Sequence, residues 1–195
     1  MNSLKKTIYL TRHGQSEYNL TGQLGGNSGL SEKGKEYSEF IYNYFKNYKI
    51  ENIQVITSGM KRTNMTAELF KNKTINDKFE EINAGIYEHY TYDQIKKENI
   101  EEFNKRKNNK FNYKYPDGES YKDLQDRIIP EFKKLIETND TFLLVAHNAV
   151  LRIIFGYLHK LDDNEIPHLE VALNTIFKIE IFENREIKKT IISYN

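Results

Sequence analysis

Apolar residues along this chain follow two spacings. The run 7–11 (Thr-Ile-Tyr-Leu-Thr) is short, apolar and β-branched and is followed by a glycine at position 14, the pattern of a buried strand. The run 53–57 repeats it, and 141–146, with Phe-Leu-Leu-Val at its centre, is the clearest case. Between them the interval changes to three and four. Tyr37, Phe40, Ile41, Tyr44 and Phe45 recur at helical spacing behind Ser31, which predicts a helix opening there. A second helix is predicted over 60–70, with Met65, Leu69 and Phe70 as core contacts. The stretch 119–136 gathers Leu124, Ile128, Ile129, Phe132, Leu135 and Ile136 on one side, and Pro130 inside it is expected to kink it. A helix over 149–158 follows the 141–146 strand at once. Residues 175–182 and 187–193 read as closing strands in a hairpin across Glu183, Asn184 and Arg185. Residues 71–121 are polar, aromatic and irregular, with short helices predicted over 92–98 and 100–107.

Strands alternating with helices predict an α/β fold: a mostly parallel central sheet covered on both faces, three layers in the order α/β/α. No repeat, low-complexity linker or domain boundary interrupts the pattern. Residues 1–195 therefore read as a single domain, a length that can bury a sizeable core.

Composition narrows the function. Charged residues make up 29% of the chain, yet the net charge is only +1, which predicts no nucleic-acid partner. With no cysteine, disulfides, thiolate metal sites and cysteine nucleophiles are excluded. No apolar run approaches the roughly 18 residues of a membrane span. Residues 1–6 are polar, and no apolar stretch of roughly 7 to 15 residues follows them as in a signal peptide. The expectation is a soluble, cytoplasmic protein with no membrane partner.

Two of the strands end in histidine: Leu10-Thr11-Arg12-His13-Gly14 and Val145-Ala146-His147-Asn148. Ligands of open α/β sheets bind at the carboxyl ends of strands, so these two rings can meet across one pocket. Gly14 would let the backbone approach a ligand closely. Arg12, and Arg62 in Thr57-Ser58-Gly59-Met60-Lys61-Arg62, offer fork-shaped donors suited to phosphate oxygens, to which helix N-terminal amides could add. Half of the ten glycines (14, 22, 25, 26 and 29) lie in the loop behind His13. That loop reads either as a flexible connector or as a source of backbone amides for an anion. Residues 105–114 carry five positive side chains and no acid, which reads as a solvated basic face unless a second anion needs them.

Residues 11–19 (Thr-Arg-His-Gly-Gln-Ser-Glu-Tyr-Asn) resemble the signature of the histidine phosphatase superfamily, with its phosphoglycerate mutase-like fold. The likeness extends through 19–31, Lys61-Arg62-Thr63, Glu81-Ile82-Asn83-Ala84-Gly85, residues 115–121, residues 147–152 and Pro167-His168-Leu169. Across that series the chain is most similar to the bisphosphatase domain of the bifunctional 6-phosphofructo-2-kinase/fructose-2,6-bisphosphatases. The resemblance implies that His13 attacks phosphorus and becomes a phosphohistidine. Arg12, Arg62 and His147 would hold the phosphoryl oxygens, and Glu81 would protonate the leaving alkoxide. Asn19 and Gly25 would contact the same phosphoryl group. Arg106 and Lys110 match an Arg and a Lys that bind the second phosphate of the sugar, Tyr92 and Tyr121 match the tyrosines beside them, and Arg152 matches an arginine of the substrate pocket. Asn148 stands where the eukaryotic bisphosphatases have Gln. Gln15 replaces the commoner Glu, Asn83 replaces Asp, and Thr21 and Gln23 stand where arginines are usual.

The implied activity is hydrolysis of a phosphomonoester on a small phosphorylated sugar, first of all fructose 2,6-bisphosphate to fructose 6-phosphate. Broad phosphomonoesterase or phosphoglycerate mutase activity is the alternative, and a non-catalytic phospho-ligand module a further one. No metal or other cofactor is implied, because arginines and histidines carry the charge stabilisation. The chain is expected as a monomer or homodimer. No Gly-rich Walker motif is present to supply the kinase half.

Overall fold

The computed structural model describes residues 3–50, 52–138 and 141–194; Met1 and Asn2, the first of the polar opening residues, lie outside them. The chain enters through β1 (Leu4–Arg12), crosses a glycine-rich loop with a short helix α1 (Glu17–Thr21), and continues through α2 (Glu32–Asn47) and β2 (Gln54–Thr57). Next come α3 (Lys61–Thr66), β3 (Lys73–Ile75), α4 (Tyr92–Glu98), α5 (Ile100–Asn108) and α6 (Tyr121–Thr138). Then follow β4 (Thr141–Ala146), α7 (Asn148–His159), and the strands β5 (Thr175–Phe182) and β6 (Ile187–Ser193).

The six strands form one sheet in the order β3-β2-β4-β1-β5-β6. β3, β2, β4 and β1 are parallel, β5 runs antiparallel to β1, and β6 antiparallel to β5. Side chains alternate between two cores, as strand geometry requires. Ile8, Leu10, Phe142, Leu144 and Ile179 face one way and pack with Leu124, Ile128 and Phe132 of α6 and with Val150, Ile153 and Ile154 of α7. Tyr9, Val55, Leu143 and Val145 face the other way, against Tyr37, Ile41 and Phe45 of α2. These are the two outer layers of the expected sandwich. A third apolar cluster, built on Ala84, Tyr87, Ile95 and Tyr115, lies in the 71–121 region.

Local chemistry sets several element ends. The Ser31 side chain accepts the Gly34 amide and opens α2 where the spacing predicts. Ser120 and Asp123 bond reciprocally at the start of α6. That helix opens at Tyr121, so Glu119, expected inside it, stands just before it. Pro130 lies within α6, which is continuous through it, and Ile128 and Phe132 on either side stay fully buried. The helix expected over 60–70 stops at Thr66, and this overturns the core position expected for Leu69, which is 46% exposed. Phe70 still reaches the core, through a turn in which its amide donates to Ala67. β3 is not heralded by the sequence because all three of its residues are exposed. Among the described residues no helix is long and apolar enough to cross a membrane.

One close backbone approach fixes where the loop behind β1 lies. A Cβ on Gly34, in the first turn of α2, would stand 2.1 Å from the Gln15 carbonyl oxygen, and one on Gly14 would stand 2.5 Å from the Gly34 oxygen. Gly14 therefore serves contact with α2, where the sequence suggested contact with a ligand. In an unobstructed helix Gly→Ala stabilises by about 1 kcal/mol. Here the backbone contact should dominate: Gly34→Ala is expected to destabilise by about 1–3 kcal/mol. Thermal unfolding followed by circular dichroism checks this; the midpoint should fall by several degrees, where simple helix propensity would raise it.

Candidate active site

β1 and β4 are adjacent and parallel, with Arg12 opposite Ala146, so the residues after them emerge side by side. The His13 amide extends the ladder by donating to Ala146 O at 2.9 Å. The two imidazole rings then lie 5.2 Å apart between centroids, tilted by 58°. β2 lies on the other side of β4, and Ser58 just beyond it bonds His147 Nε2 at 2.8 Å.

His13 is 4% exposed, and its Nδ1 lies 2.7 Å from the Gly14 carbonyl. A carbonyl can only accept, so Nδ1 carries the proton, and in the neutral ring Nε2 keeps its lone pair. Burial first, then Arg62, hold the His13 pKa well below that of an ordinary histidine; the Gly14 bond opposes them and Arg12 adds a little to the depression. The ring is thus neutral near pH 7, with Nε2 nucleophilic. His147 is fully buried and similarly depressed, by burial first and then by Arg62. With Nε2 bonded to Ser58, its Nδ1 is left as a buried atom without a partner.

Two guanidinium groups act on this pair. Arg62 is 4% exposed and its Nη1 donates to Gly26 O at 2.7 Å, so α3 ties directly to the glycine-rich loop. Arg12 donates from Nη1 to Val171 O at 2.8 Å, while its Nε is buried without a partner. Burial pulls the Arg12 pKa down to about 10, Glu81 partly offsetting this and Arg152 and Arg62 adding to it; the group stays charged at neutral pH. The Lys61 amide at the start of α3 is spent on Asn27 Oδ1 at 2.7 Å. What this helix brings to the histidine pair is the Arg62 side chain.

Glu81 reaches the site from the 80–84 segment. Its carboxylate accepts the Ile82 amide at 3.0 Å and the Ala149 amide, at the N-terminus of α7, at 3.2 Å. A negative group is well placed there, where free amides and the helix dipole converge.

A second group of cations comes from α5, the segment after it, and α7. Arg106 stacks over the Tyr92 ring with its guanidinium carbon 4.3 Å from the centroid, and its Nε donates to Tyr115 Oη at 2.7 Å. Lys110 Nζ donates to Pro167 O at 2.6 Å. Arg152 donates to Leu169 O at 2.7 Å and to Tyr121 Oη at 3.1 Å. Loss of water, then Arg152 and Arg106, pull Lys110 down to about 8.

Both groups face one cavity of about 350 Å³, within the range of small-molecule sites. It is lined by His13, Arg12, Arg62, Glu81, Asn19, Gly25, Tyr92, Arg106, Lys110, Tyr121, Asn148 and Arg152, so every residue to which the family resemblance assigns a catalytic or substrate-binding role meets it except His147, which lies buried against His13. The other candidate chemistry of the chain gathers here too. The glycine-rich loop is no free connector, since Leu24 N donates to Tyr90 O and His89 N to Leu24 O. Gly25 has a φ of +58°, and a Cβ there would overlap the Glu88 carboxyl. Five cations face the cavity against the single carboxylate of Glu81. Among the described residues no cluster of three or more His, Asp and Glu side chains is placed to hold a metal ion.

Two residues that sequence patterns do not single out shape the site. Ser58 orients His147, and its only signal is that it follows a strand as the two histidines do. Tyr115 fixes Arg106 and bonds Tyr92 Oη at 3.2 Å; only its place in the Tyr-Pro-Asp-Gly segment marks it.

The chain is similar to several known proteins. The family model described as "Histidine phosphatase superfamily (branch 1)" matches residues 8–192. The mouse and human 6-phosphofructo-2-kinase/fructose-2,6-bisphosphatase 1 proteins are each 40% identical to this chain over 175 residues. That alignment covers 89% of this chain but only 37% of either relative, so the chain spans little more than a third of their length. Among solved structures, a putative alpha-ribazole-5'-P phosphatase from Escherichia coli superposes with a TM-score of 0.85 at 19% identity, covering 97% of this chain and 96% of its own. Bacillus stearothermophilus YhfR gives 0.82 at 21%, covering 97% and 98%. At such identities these two structures speak to the fold, which is the phosphoglycerate mutase-like one. With its two strand-end histidines in place and a family match over nearly its whole length, the chain belongs to the histidine phosphatase superfamily, a family of phosphatase hydrolases.

Proposed function

We propose that the chain works as a single phosphatase domain that hydrolyses a sugar bisphosphate through a phosphohistidine, and that its substrate is fructose 2,6-bisphosphate. The observation that supports this reading is the pair of cationic groups in one cavity. Arg12 and Arg62 act on His13, while Arg106, Lys110 and Arg152 form a further set held by carbonyl and tyrosine oxygens. A substrate with two separated phosphates satisfies both. The relatives at 40% identity carry fructose-2,6-bisphosphatase in their names.

His13 Nε2 attacks phosphorus as the bond to the sugar oxygen breaks, and the leaving oxygen takes the proton that Glu81 carries as a carboxylic acid in this step, leaving the carboxylate that the Ile82 and Ala149 amides hold. Water then attacks the phosphohistidine, gives a proton back to Glu81, and releases inorganic phosphate and neutral-ring His13. Arg12 and Arg62 balance the charge on the transferring oxygens. His147 joins them through Nδ1–H, with the Ser58 hydroxyl donating to Nε2. Asn19 and the Gly25 backbone border the same phosphoryl group. Arg106, Lys110 and Arg152 hold the second phosphate, with Tyr92 and Tyr121 beside it and Asn148 at the edge of the pocket.

His13→Ala should abolish turnover and the acid-labile labelling of the protein by substrate phosphate; retained turnover defeats the mechanism. A substrate panel with phosphate release, comparing fructose 2,6-bisphosphate with monophosphates and phosphoglycerates, tests the substrate. A preference below about tenfold, about 1.4 kcal/mol in transition-state binding, would instead indicate a broad phosphomonoesterase. Within the panel, Arg106→Ala with Lys110→Ala should raise KM for the bisphosphate far more than for p-nitrophenyl phosphate. Equal effects on both esters refute the second phosphate subsite.

The pH dependence follows from Lys110, which is cationic below about 8 and loses its charge above. Since kcat/KM reports the free enzyme, its value for the bisphosphate should fall as pH rises through about 8. Lys110→Arg, which stays charged, should shift that fall to higher pH; an unchanged profile removes Lys110 from phosphate binding.

A further inference from the structure

Glu81 is carried by a segment with no regular hydrogen-bond ladder of its own, between a single-turn 3₁₀ helix (Asp77–Phe79) and another (Gly85–Tyr87). What holds it comes from α6. Arg127 Nε and Nη2 bond the two carboxylate oxygens of Glu119 at 2.7 and 2.9 Å, the fork-to-fork geometry that only an arginine makes. Its remaining donors go to main-chain carbonyls: Nη1 to Lys78 O at 2.7 Å and Glu80 O at 2.9 Å, and Nη2 to Glu81 O at 3.1 Å. All five guanidinium N–H groups are thereby used. Glu119 completes the grip, since its Oε2 also accepts the Asn83 amide at 3.0 Å and its own amide donates to Asn83 O at 2.9 Å.

The clamp lies outside the cavity. Arg127 and Glu119 line a separate surface depression with residues of the 77–83 segment, and Glu81 is the one residue that faces both. From behind, Arg127 takes the Glu81 carbonyl; at the front, the Glu81 carboxylate meets the Ala149 amide beside His147 and Asn148. A carboxyl on an otherwise irregular segment is thus fixed at both ends, its backbone to α6 and its side chain to α7.

From this geometry we infer that Arg127, paired with Glu119, is a positioning residue for Glu81: it sets where the carboxyl stands and touches neither substrate nor His13. The inference rests on Glu81 acting as the acid and base of the proposed reaction. Its consequence is selective. Protonation matters for an alkoxide leaving group and little for p-nitrophenolate, which departs as a stable anion. The return step, in which water is activated against the phosphohistidine, needs Glu81 whichever ester was used.

The test compares Arg127→Lys, Glu119→Gln and Glu81→Gln with the parent chain on two esters, fructose 2,6-bisphosphate and p-nitrophenyl phosphate, with circular dichroism and thermal unfolding to establish the folded fraction. General acid catalysis contributes roughly 10²–10⁴-fold. Arg127→Lys should therefore lower kcat/KM for the alkyl ester by about 10²-fold, but that for the aryl ester by less than about fivefold. With the aryl ester it should also show a burst of p-nitrophenolate ahead of slow turnover. Should Arg127→Lys fail to fold, Glu119→Gln, which keeps the side-chain shape and loses the ion pair, should give the same selective loss. Glu81→Gln separates the two ideas. If it too lowers kcat/KM equally on both esters, the assignment of Glu81 as the acid fails. If Glu81→Gln is selective while the folded clamp variants lower both esters equally, or neither, the clamp only supports the fold and the inference is overturned.

Discussion

Two neighbouring strands running in the same direction end level with each other, and that is the constraint on which the site depends. Because β1 and β4 pair in parallel with Arg12 opposite Ala146, the chain leaves both strands at one height, and His13 and His147 come out ring to ring. An antiparallel pair would have sent them to opposite edges of the sheet. The strands are fixed in turn by burial on both faces, with Leu10, Leu143, Leu144 and Val145 fully inaccessible. A register slip of one residue would turn each of these to the wrong core. The position of the histidines is thus held by apolar packing well removed from them.

Around this pair, short polar links join the elements as well as packing. Arg62 ties α3 to the glycine-rich loop, Ser58 ties the end of β2 to His147, and Glu81 ties the 80–84 segment to α7. Each link spends a donor or acceptor that burial would otherwise leave unsatisfied, which costs roughly 1–3 kcal/mol for an uncharged group. Among the described residues, the few buried polar atoms left without a partner include two on residues that line the cavity, Arg12 Nε and Asn148 Oδ1, and one just behind it, His147 Nδ1. Unspent hydrogen-bonding capacity is therefore concentrated where a ligand would use it.

Buried strands and long helices were legible in the sequence because their periods are strong. The 141–146 strand, the helix behind Ser31 and the closing hairpin stand where the apolar spacing puts them. β3 carries no apolar signature, since Lys73, Thr74 and Ile75 are all exposed; its backbone pairs with β2. Leu69 misled because a helical period was extended past Thr66, where the helix ends. In the site, His13 and His147 could be placed from strand ends. Glu81 had no local signal beyond its resemblance to the family, as its position depends on Arg127, 46 residues away. The bond from Ser58 to His147 spans 89 residues and was likewise invisible to any local pattern.

Five cations against one carboxylate repel one another across the cavity, and their repulsion adds to the burial that chiefly depresses Lys110 and Arg12. A phosphate in the cavity would serve as their counterion and link α3, α5 and α7 through a shared charge. Inorganic phosphate can fill this part as well as an ester can. An architecture that draws in a small phosphorylated substrate with five cations would also hold on to the phosphate it releases, and the faster the chemistry, the more the pace of the cycle would be set by unbinding of an anion from its own cage of arginines.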